Sequence, residues 1–214
     1  AYILTLAKKT KGVAIFTGLL EMENRIRETY KALHAPCKTL KGEKLVSIVI
    51  PTRNERTRIA ALLNSLNASC YRPIEIIVAD YKSTDGTPEI AKKLGAKVIE
   101  IDKPGVGYAT YIAVQESKGD IIIRTDADTI FPRTIINTAV EMLANALVAH
   151  VGHVYYDGGF VENALAFYYD KYLREPWKTT GHFIAFKREL VEKGLNFNPK
   201  LKYDDDWDFG KRVY

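Results

Sequence analysis

Short apolar runs alternate with amphipathic segments from residue 46 onward, a pattern that predicts strands joined by helical crossovers. Parallel strands need such crossovers, and strands covered on both faces are apolar at nearly every position. The predicted fold is therefore α/β, a mostly parallel sheet flanked by helices. Its strands are predicted at 46–50, 74–79, 97–101 and 120–124.

The segments between these strands carry apolar residues at helical spacing. They predict helices over 57–66, over 87–94, and from the glycine turn 105–107 to about residue 117. Thr87 offers an N-cap hydroxyl, and Pro88 suits the first helical position. These start signals predict that the second helix is capped by Thr87.

Polar side chains follow three of the four predicted strands, and the glycine turn 105–107 follows the third. Because ligands of such sheets bind beyond the carboxyl ends of the strands, these side chains are candidates for one shared site. They are Thr52, Asn54 and Glu55 after the first strand, Asp80, Ser83 and Asp85 after the second, and Asp126 and Asp128 after the fourth.

Asp126 and Asp128 directly follow the apolar run 121–123. Side chains two residues apart on an extended backbone point the same way, so the two carboxylates can approach one ligand. A hard divalent cation such as Mg²⁺ or Mn²⁺ would relieve their repulsion and could hold a diphosphate. Solvated turn carboxylates are the alternative interpretation of the same spacing.

The net charge of +5 does not indicate nucleic-acid binding, because it is confined to the N-terminal segment. Residues 1–45 hold nine of the 31 Lys and Arg and four of the 26 Asp and Glu, while the remaining 22 of each cancel. Cys37 and Cys70, the only cysteines, are predicted to be core thiols in a reducing compartment. The expected location is the cytoplasm or the cytoplasmic face of a membrane.

Residues 1–45 are predicted to form a basic extension with an amphipathic helix over 19–33. That helix either docks on the rest of the protein or makes peripheral contact with anionic lipid. Neither apolar run before residue 21 approaches the roughly 20 residues that cross a bilayer. The remaining residues, 46–214, are predicted to form one domain.

Five strings in register resemble family 2 glycosyltransferases, which have the GT-A fold. VSIVIPTRNE, VADYKSTDGT, GVGYA and GDIIIRTDAD resemble the nucleotide-binding half, and LNFNPKLKYDDDWDFGKR, after GHFIAFKREL, resembles the acceptor half. The likeness covers residues 46–212, and it implies that the domain 46–214 divides into a nucleotide-binding half, 46–132, and an acceptor half, 133–214. It implies a metal-dependent, inverting hexosyltransferase that moves a sugar from a nucleotide-diphosphate donor to a sugar, protein or lipid-linked acceptor, with Mn²⁺ or Mg²⁺ as cofactor.

The resemblance also implies roles for individual residues. Asp206 takes the position of the general base, and Asp205 takes the position beside it that usually holds Glu. Asp126 and Asp128 take those of the metal ligands, with Asp126 also near the ribose. The nucleotide-sugar pocket would be lined by Pro51, Thr52, Glu55, Asp80, Asp126 and Ala127.

Some positions depart from the pattern of the family. PTRNE resembles the PTYNE of members that glycosylate dolichyl or other polyprenyl phosphates, but Arg53 replaces the aromatic residue. Ile130 stands where some of those members place a polar metal ligand, which leaves a third ligand unassigned. The chain also ends just past Arg212, where membrane-bound relatives often continue, so we expect a C-terminally truncated chain.

Several other residues carry weaker signals. His182 falls in the region expected to face the acceptor, whereas His150 and His153 are expected to pack or face solvent. Residues 161–173 predict a helix on the acceptor side, with Trp177 beyond it as a candidate for stacking on a sugar ring.

Alternative functions differ in their acceptor or in the reaction. A polyprenyl phosphate transferase would use an acceptor that is already an anion, so Asp206 would matter less as a base. A sugar nucleotidyltransferase would need a glycine-rich loop with Arg and Lys after the first strand. A noncatalytic nucleotide-binding module would bind nucleotide without transfer.

Overall fold

The chain divides into two compact units in a computed structural model. One unit comprises Ala1–Ala35 and Gly152–Arg174, and the other comprises Pro36–Val151 and Glu175–Tyr214. The structure describes residues 40–150, 160–168, 175 and 177–214, together with 24, 27 and 31. The predicted boundaries of the extension and of the two halves stay predictions.

The second unit contains most of the described elements and all six strands of one sheet. The strands are β1 (Leu40–Thr52), β2 (Tyr71–Asp80), β3 (Lys97–Glu100), β4 (Ile121–Arg124), β5 (Val148–His150) and β6 (Ile184–Lys187). The helices of this unit are α1 (Arg56–Asn67), α2 (Thr87–Lys93), α3 (Val106–Gln115), α4 (Ile135–Met142), α6 (Arg188–Glu192) and α7 (Asp205–Val213).

The first unit is described by the helix α5 (Phe160–Tyr168) and by three exposed helical residues at 24, 27 and 31. The predicted helix 161–173 is therefore observed as far as residue 168. The remainder of the predicted N-terminal amphipathic helix lies outside the described residues, as does His153. Among the helices that the structure describes, none is long and apolar enough to span a membrane.

The sheet has the strand order β3-β2-β1-β4-β6-β5. β1 pairs in parallel with β2 and β4, and β2 pairs in parallel with β3. β6 pairs antiparallel with both β4 and β5. The prediction of a mostly parallel sheet flanked by helices is confirmed, and the four predicted strands are its parallel strands.

Buried side chains cover both faces of the sheet, which explains the apolar runs 48–50, 76–79 and 121–123 in its central strands. Along β1, Val46, Ile48 and Ile50 pack with α1 and α4 residues in one core, while Val49 packs on the opposite face with residues of α3 and α7. Alternation of side chains across the sheet sends successive β1 residues to opposite layers. Because β1 pairs in parallel with β2 and β4, the carboxyl ends of these three strands lie at one edge of the sheet.

Two local predictions are wrong. Gly86, in a left-handed conformation with φ of 94°, occupies the N-cap of α2, and Thr87 is the first helical residue with no capping bond from its side chain. The Thr87 hydroxyl instead donates to Asp85 Oδ1 at 2.6 Å. Cys70 is 2% exposed but disulfide-bonded, so it is not a core thiol and offers no evidence for a reducing compartment. Cys37 lies outside the described residues.

Candidate active site

The ends of β1 and β2 are joined by a hydrogen-bond network centred on Asp80. Asp80 is 1% exposed. Its Oδ1 accepts from Thr52 Oγ1 at 2.9 Å and from Ser83 Oγ at 2.6 Å, and its Oδ2 accepts from Ser83 N at 2.9 Å. A buried carboxylate with this many donors is satisfied within the protein. In this structure Asp80 therefore orders the loop after β2, and contact with a nucleotide stays a prediction.

The same loop is tied to the start of α1. Asn54 N donates to Ser83 Oγ at 2.7 Å, and Thr84 N donates to Asn54 Oδ1 at 3.0 Å. Glu55 N donates to Thr87 Oγ1 at 2.8 Å. These bonds hold the polar residues after β1 and β2 in one rigid rim. Pro51 is half-buried at the base of this rim.

Asp85 joins the two helices that border the rim. Its carboxylate accepts from Arg56 N at 2.9 Å and from Thr87 N at 3.0 Å. The hydrogen bond from the Thr87 hydroxyl, followed by those from backbone amides, holds the pKa of Asp85 below its ordinary value. Asp85 therefore stabilises the turn that precedes α2, as is common for an Asp-Gly-Thr sequence.

Asp126 and Asp128 lie beyond the end of β4, where Ala127 between them is buried. Thr125 N continues the pairing of β4 with β1 by donating to Val49 O at 3.1 Å, and Thr125 Oγ1 donates to His182 O at 2.8 Å. The second bond brings the segment before β6 against the end of β4.

His182 completes a three-residue cluster with these two aspartates. One ligand atom from each of Asp126, Asp128 and His182 lies within 4.8 Å of the others. His182 Nδ1 is 3.6 Å from Asp126 Oδ2. We call Asp126, Asp128 and His182 the candidate metal cluster. His182 therefore lies beside Asp126, and its expected position near the acceptor stays a prediction.

The donor set of this cluster suits a divalent cation. The two carboxylates provide oxygen ligands of the kind that Mn²⁺ and Mg²⁺ prefer, and the imidazole adds one nitrogen donor. All three side chains are at least partly exposed, so an ion and a phosphate can reach them. His182 supplies a candidate for the third ligand that Ile130 does not provide.

Arg124 is the charged residue that closes the apolar strand β4, and its side chain is 3% exposed. Its Nη1 donates to Asp126 Oδ1 at 2.6 Å and also to the carbonyl of Gly181. Its Nη2 is 3.4 Å from Asp205 Oδ1. One buried guanidinium therefore bridges the candidate metal cluster and the start of α7.

Asp205 and Asp206, which we call the acidic pair, open α7 and have different environments. Asp205 is 2% exposed, and its Oδ2 accepts from Thr110 Oγ1 at 3.1 Å. Asp206 is partly exposed; its Oδ2 accepts from Gly181 N at 2.8 Å and its Oδ1 from Trp207 N at 2.9 Å. Asp205 is thus a buried structural partner, and Asp206 is the member of the pair that can meet a substrate.

Burial raises the pKa of Asp206 above its ordinary value; Arg124 opposes this shift, and the neighbouring Asp205 adds to it. For Arg124, burial disfavours the charge, but Asp205, Asp126 and Asp206 outweigh that cost and raise the pKa of the guanidinium. Arg124 is therefore a permanent positive charge, and Asp206 is a carboxylate with enhanced basicity.

The remaining acidic residue of α7 has a structural partner. Asp208 Oδ2 lies 2.7 Å from Arg212 Nη2, one turn along the helix, and Arg212 also donates to Asn196 O at 2.8 Å. With Asp208 paired to Arg212, Asp206 remains the candidate base.

Two residues of this site were not assigned a role there from sequence, namely Arg124 and Gly181. The signal for Arg124 was present, because an arginine at the end of a buried strand must be paired. Gly181 carried none, since its importance lies in backbone contacts to Arg124 and Asp206. A Cβ at Gly181 would overlap the Arg124 guanidinium.

Comparison with known proteins identifies the class. Residues 47–195 match the model of the family described as Glycosyl transferase family 2. The chain is 30% identical over 175 residues to dolichol-phosphate mannosyltransferase of Pyrococcus furiosus, covering 72% of this chain and 49% of that protein. It is 33% identical over 133 residues to 4,4'-diaponeurosporenoate glycosyltransferase of Staphylococcus haemolyticus, covering 58% of this chain and 34% of that protein. The chain thus spans between a third and a half of these relatives.

Solved structures show the same fold. A mannosyltransferase from Pyrobaculum calidifontis, in complex with GDP-Man and Mn²⁺, matches with a TM-score of 0.61 at 23% identity, over 95% of this chain and 61% of that chain. TarS of S. aureus matches with a TM-score of 0.64 at 20% identity, over 79% of this chain and 55% of that chain. The fold is the GT-A fold of glycosyltransferases. The chain belongs to glycosyl transferase family 2.

Proposed function

We propose that this chain is the catalytic part of a metal-dependent, inverting hexosyltransferase. It would transfer a sugar from a nucleotide-diphosphate donor to an acceptor hydroxyl. The observation that carries the proposal is the connection of Asp206 to the candidate metal cluster through the Gly181 backbone and Arg124. Gly181 N donates to Asp206, while Gly181 O accepts from Arg124, which pairs with Asp126.

In the proposed reaction the acceptor oxygen attacks the anomeric carbon as its bond to the diphosphate breaks. Asp206 takes the proton of the acceptor hydroxyl as the new bond forms. Backbone amides of Gly181 and Trp207 fix the orientation of the carboxylate. Asp126, Asp128 and His182 would hold Mn²⁺ or Mg²⁺, whose positive charge stabilises the departing diphosphate.

The rim formed by β1 and β2 would receive the nucleoside. Pro51, Thr52 and Glu55 would line the nucleoside pocket there, and Asp80 holds the loop that carries Ser83. Arg53 lies over the ring of Tyr81 at 4.9 Å from its centroid, where the family pattern has an aromatic residue at position 53. Asp126 and Ala127 would border the ribose at the end of β4. The relatives crystallised with UDP-GlcNAc or GDP-Man support donors of this class.

A polyprenyl phosphate acceptor is the second candidate. It is favoured by the 30% identity with a dolichol-phosphate mannosyltransferase and by the PTRNE string. Membership in the family leaves a sugar nucleotidyltransferase without support. A location in the cytoplasm or at the cytoplasmic face of a membrane stays a prediction.

A screen of nucleotide sugars tests the proposed function. We expect one sugar donor, added with Mn²⁺, to raise the melting temperature of the protein. At a donor concentration of 100 times its Kd, the folded state should be stabilised by roughly 2.7 kcal/mol. EDTA is expected to abolish the shift, and product from the stabilising donor should have inverted anomeric configuration by NMR. Binding without transfer or hydrolysis would instead indicate a noncatalytic nucleotide-binding module.

A further inference from the structure

The side chain of Arg124 contacts both Asp126 and Asp205. Its three acceptors belong to three separate segments, namely the loop after β4, the turn before β6 and the first residue of α7. Within the described residues, Arg124 Nε has no hydrogen-bond partner, so the two Nη atoms make all of these contacts. The guanidinium is therefore shared between two carboxylates rather than committed to one.

Shared charge makes the two carboxylates interdependent. The buried guanidinium is screened little by solvent, so a change in charge at one carboxylate alters its attraction to the other. A cation bound to Asp126 would compete with Arg124 for that carboxylate. Weakening the bond to Asp126 would strengthen the interaction with Asp205, which at 3.4 Å has room to shorten.

The backbone of Gly181 carries the same connection to Asp206. Gly181 O accepts from Arg124, and Gly181 N donates to Asp206 Oδ2 at 2.8 Å. A shift of the guanidinium would move this glycine, because the guanidinium donates directly to its carbonyl oxygen. Thr179, whose hydroxyl donates to the Asp206 carbonyl, fixes the other side of this turn to α7.

We propose that Arg124 is a positioning residue that couples the candidate metal cluster to the acidic pair, so that cation binding at Asp126 and the placement of Asp206 depend on each other. This inference rests on the proposed function. It assigns Arg124 no contact with substrate. Its consequence is that a change at Asp205 alters cation affinity at Asp126 through Arg124.

A double-mutant cycle on Mn²⁺ affinity tests this coupling. Mn²⁺ alone is titrated into wild type, Asp205→Asn, Arg124→Met and the double variant, and free Mn²⁺ is measured by EPR. When Asp205 is neutral, Arg124 should pair more strongly with Asp126 and so weaken Mn²⁺ binding. Asp205→Asn should therefore weaken Mn²⁺ binding more when Arg124 is present than in the Arg124→Met background. The fold-change in the Kd for Mn²⁺ caused by Asp205→Asn should differ by about threefold or more between these two backgrounds, as is usual for residues that share one network.

Arg188 supplies the matched control. Its Nε donates to Gly119 O and its Nη2 to Ser117 Oγ at 2.7 Å, near the opposite end of β4. When the same cycle is repeated in an Arg188→Met background, the effect of Asp205→Asn on Mn²⁺ affinity should still differ as much between the forms with Arg124 and with Arg124→Met. If Arg124→Met does not fold, Arg124→Lys replaces it, since one ammonium cannot serve both carboxylates and the coupling should again fall.

Additive effects within experimental error would overturn the coupling while leaving the metal site intact. Failure of the wild-type protein to bind Mn²⁺ would contradict the metal site of the proposed function instead. The coupling is then measured on the urea midpoint, with Asp126→Asn combined with Asp205→Asn. Non-additive shifts that vanish without Arg124 support the coupling, and additive shifts overturn it.

Discussion

Replacing Asp206 by asparagine is expected to lower kcat for transfer to a hydroxyl acceptor by about 10²–10⁴-fold, the range contributed by a positioned general base. The amide keeps the shape of the side chain but cannot take a proton from the acceptor. Donor affinity should change little, because the donor contacts assigned here lie on the loops after β1, β2 and β4. Initial rates at saturating donor, with product quantified by mass spectrometry, measure the loss.

The pH dependence identifies the group involved. Burial raises the pKa of Asp206, so the acidic limb of kcat/KM in the wild type should lie above the pH range of an ordinary aspartate. That limb should disappear in Asp206→Asn. Asp204→Asn, at the neighbouring exposed carboxylate, is the control and should retain both rate and limb. A loss of only a few-fold in Asp206→Asn would contradict a hydroxyl acceptor and favour a phosphate acceptor, which needs no base.

Asp128→Asn is expected to abolish most of the metal-dependent activity. Asp128 is exposed and carries a carboxylate toward Asp126 and His182, and neutralising it removes a charged ligand from the cluster. Charge stabilisation by a bound metal is worth several kcal/mol, so kcat/KM should fall by about 100-fold or more at limiting Mn²⁺. Excess Mn²⁺ should restore part of the activity if the defect lies in metal affinity.

The control for this variant lies at the other end of the same strand. Asp120 Oδ2 accepts from Leu45 N at 2.9 Å, and asparagine can preserve that bond through its carbonyl oxygen. Asp120→Asn should therefore show the Mn²⁺ dependence of the wild type. An Asp128→Asn protein with an unchanged Mn²⁺ requirement would contradict the assignment of the candidate metal cluster.

The parallel part of the sheet could be predicted because its information is local. β1, β2 and β4 each contain an apolar run that is followed by polar residues, and burial on both faces demands that composition. The edge strand β3 is exposed at both ends, and its two apolar residues are partly buried. The antiparallel strand β6 was not predicted. Its four residues, Ile-Ala-Phe-Lys, pair with β4 and β5, and nothing in so short a run specifies its partners or its direction.

The candidate site divides in the same way. The spacing of Asp126 and Asp128 is a property of consecutive residues, so their common direction could be inferred from sequence. The contacts of Arg124 with Gly181 and Asp205 cross 57 and 81 residues of chain and depend on how the segments pack. His182 joins Asp126 by the same long-range packing. The sequence position of His182 indicated a role near the acceptor but not its contact with Asp126.

Thr87 shows how local signals can be outcompeted. Its hydroxyl and the following proline predicted a cap, but the hydroxyl donates to Asp85 and accepts from Glu55 N. Gly86 can adopt the positive φ at the N-cap without steric cost. The N-cap of α2 therefore lies one residue earlier than the capping pattern predicts, and the Thr87 hydroxyl instead connects two loops of the rim.

The most direct test of the account is the position of a bound cation. Crystals grown with Mn²⁺ and a nucleoside diphosphate, either UDP or GDP, would be measured at the manganese absorption edge. The account predicts an anomalous peak within coordination distance of Asp126 and Asp128, with the diphosphate on the same ion and the Asp206 carboxylate facing the cleft. A peak at other residues, or nucleotide bound away from the carboxyl ends of β1, β2 and β4, would contradict it.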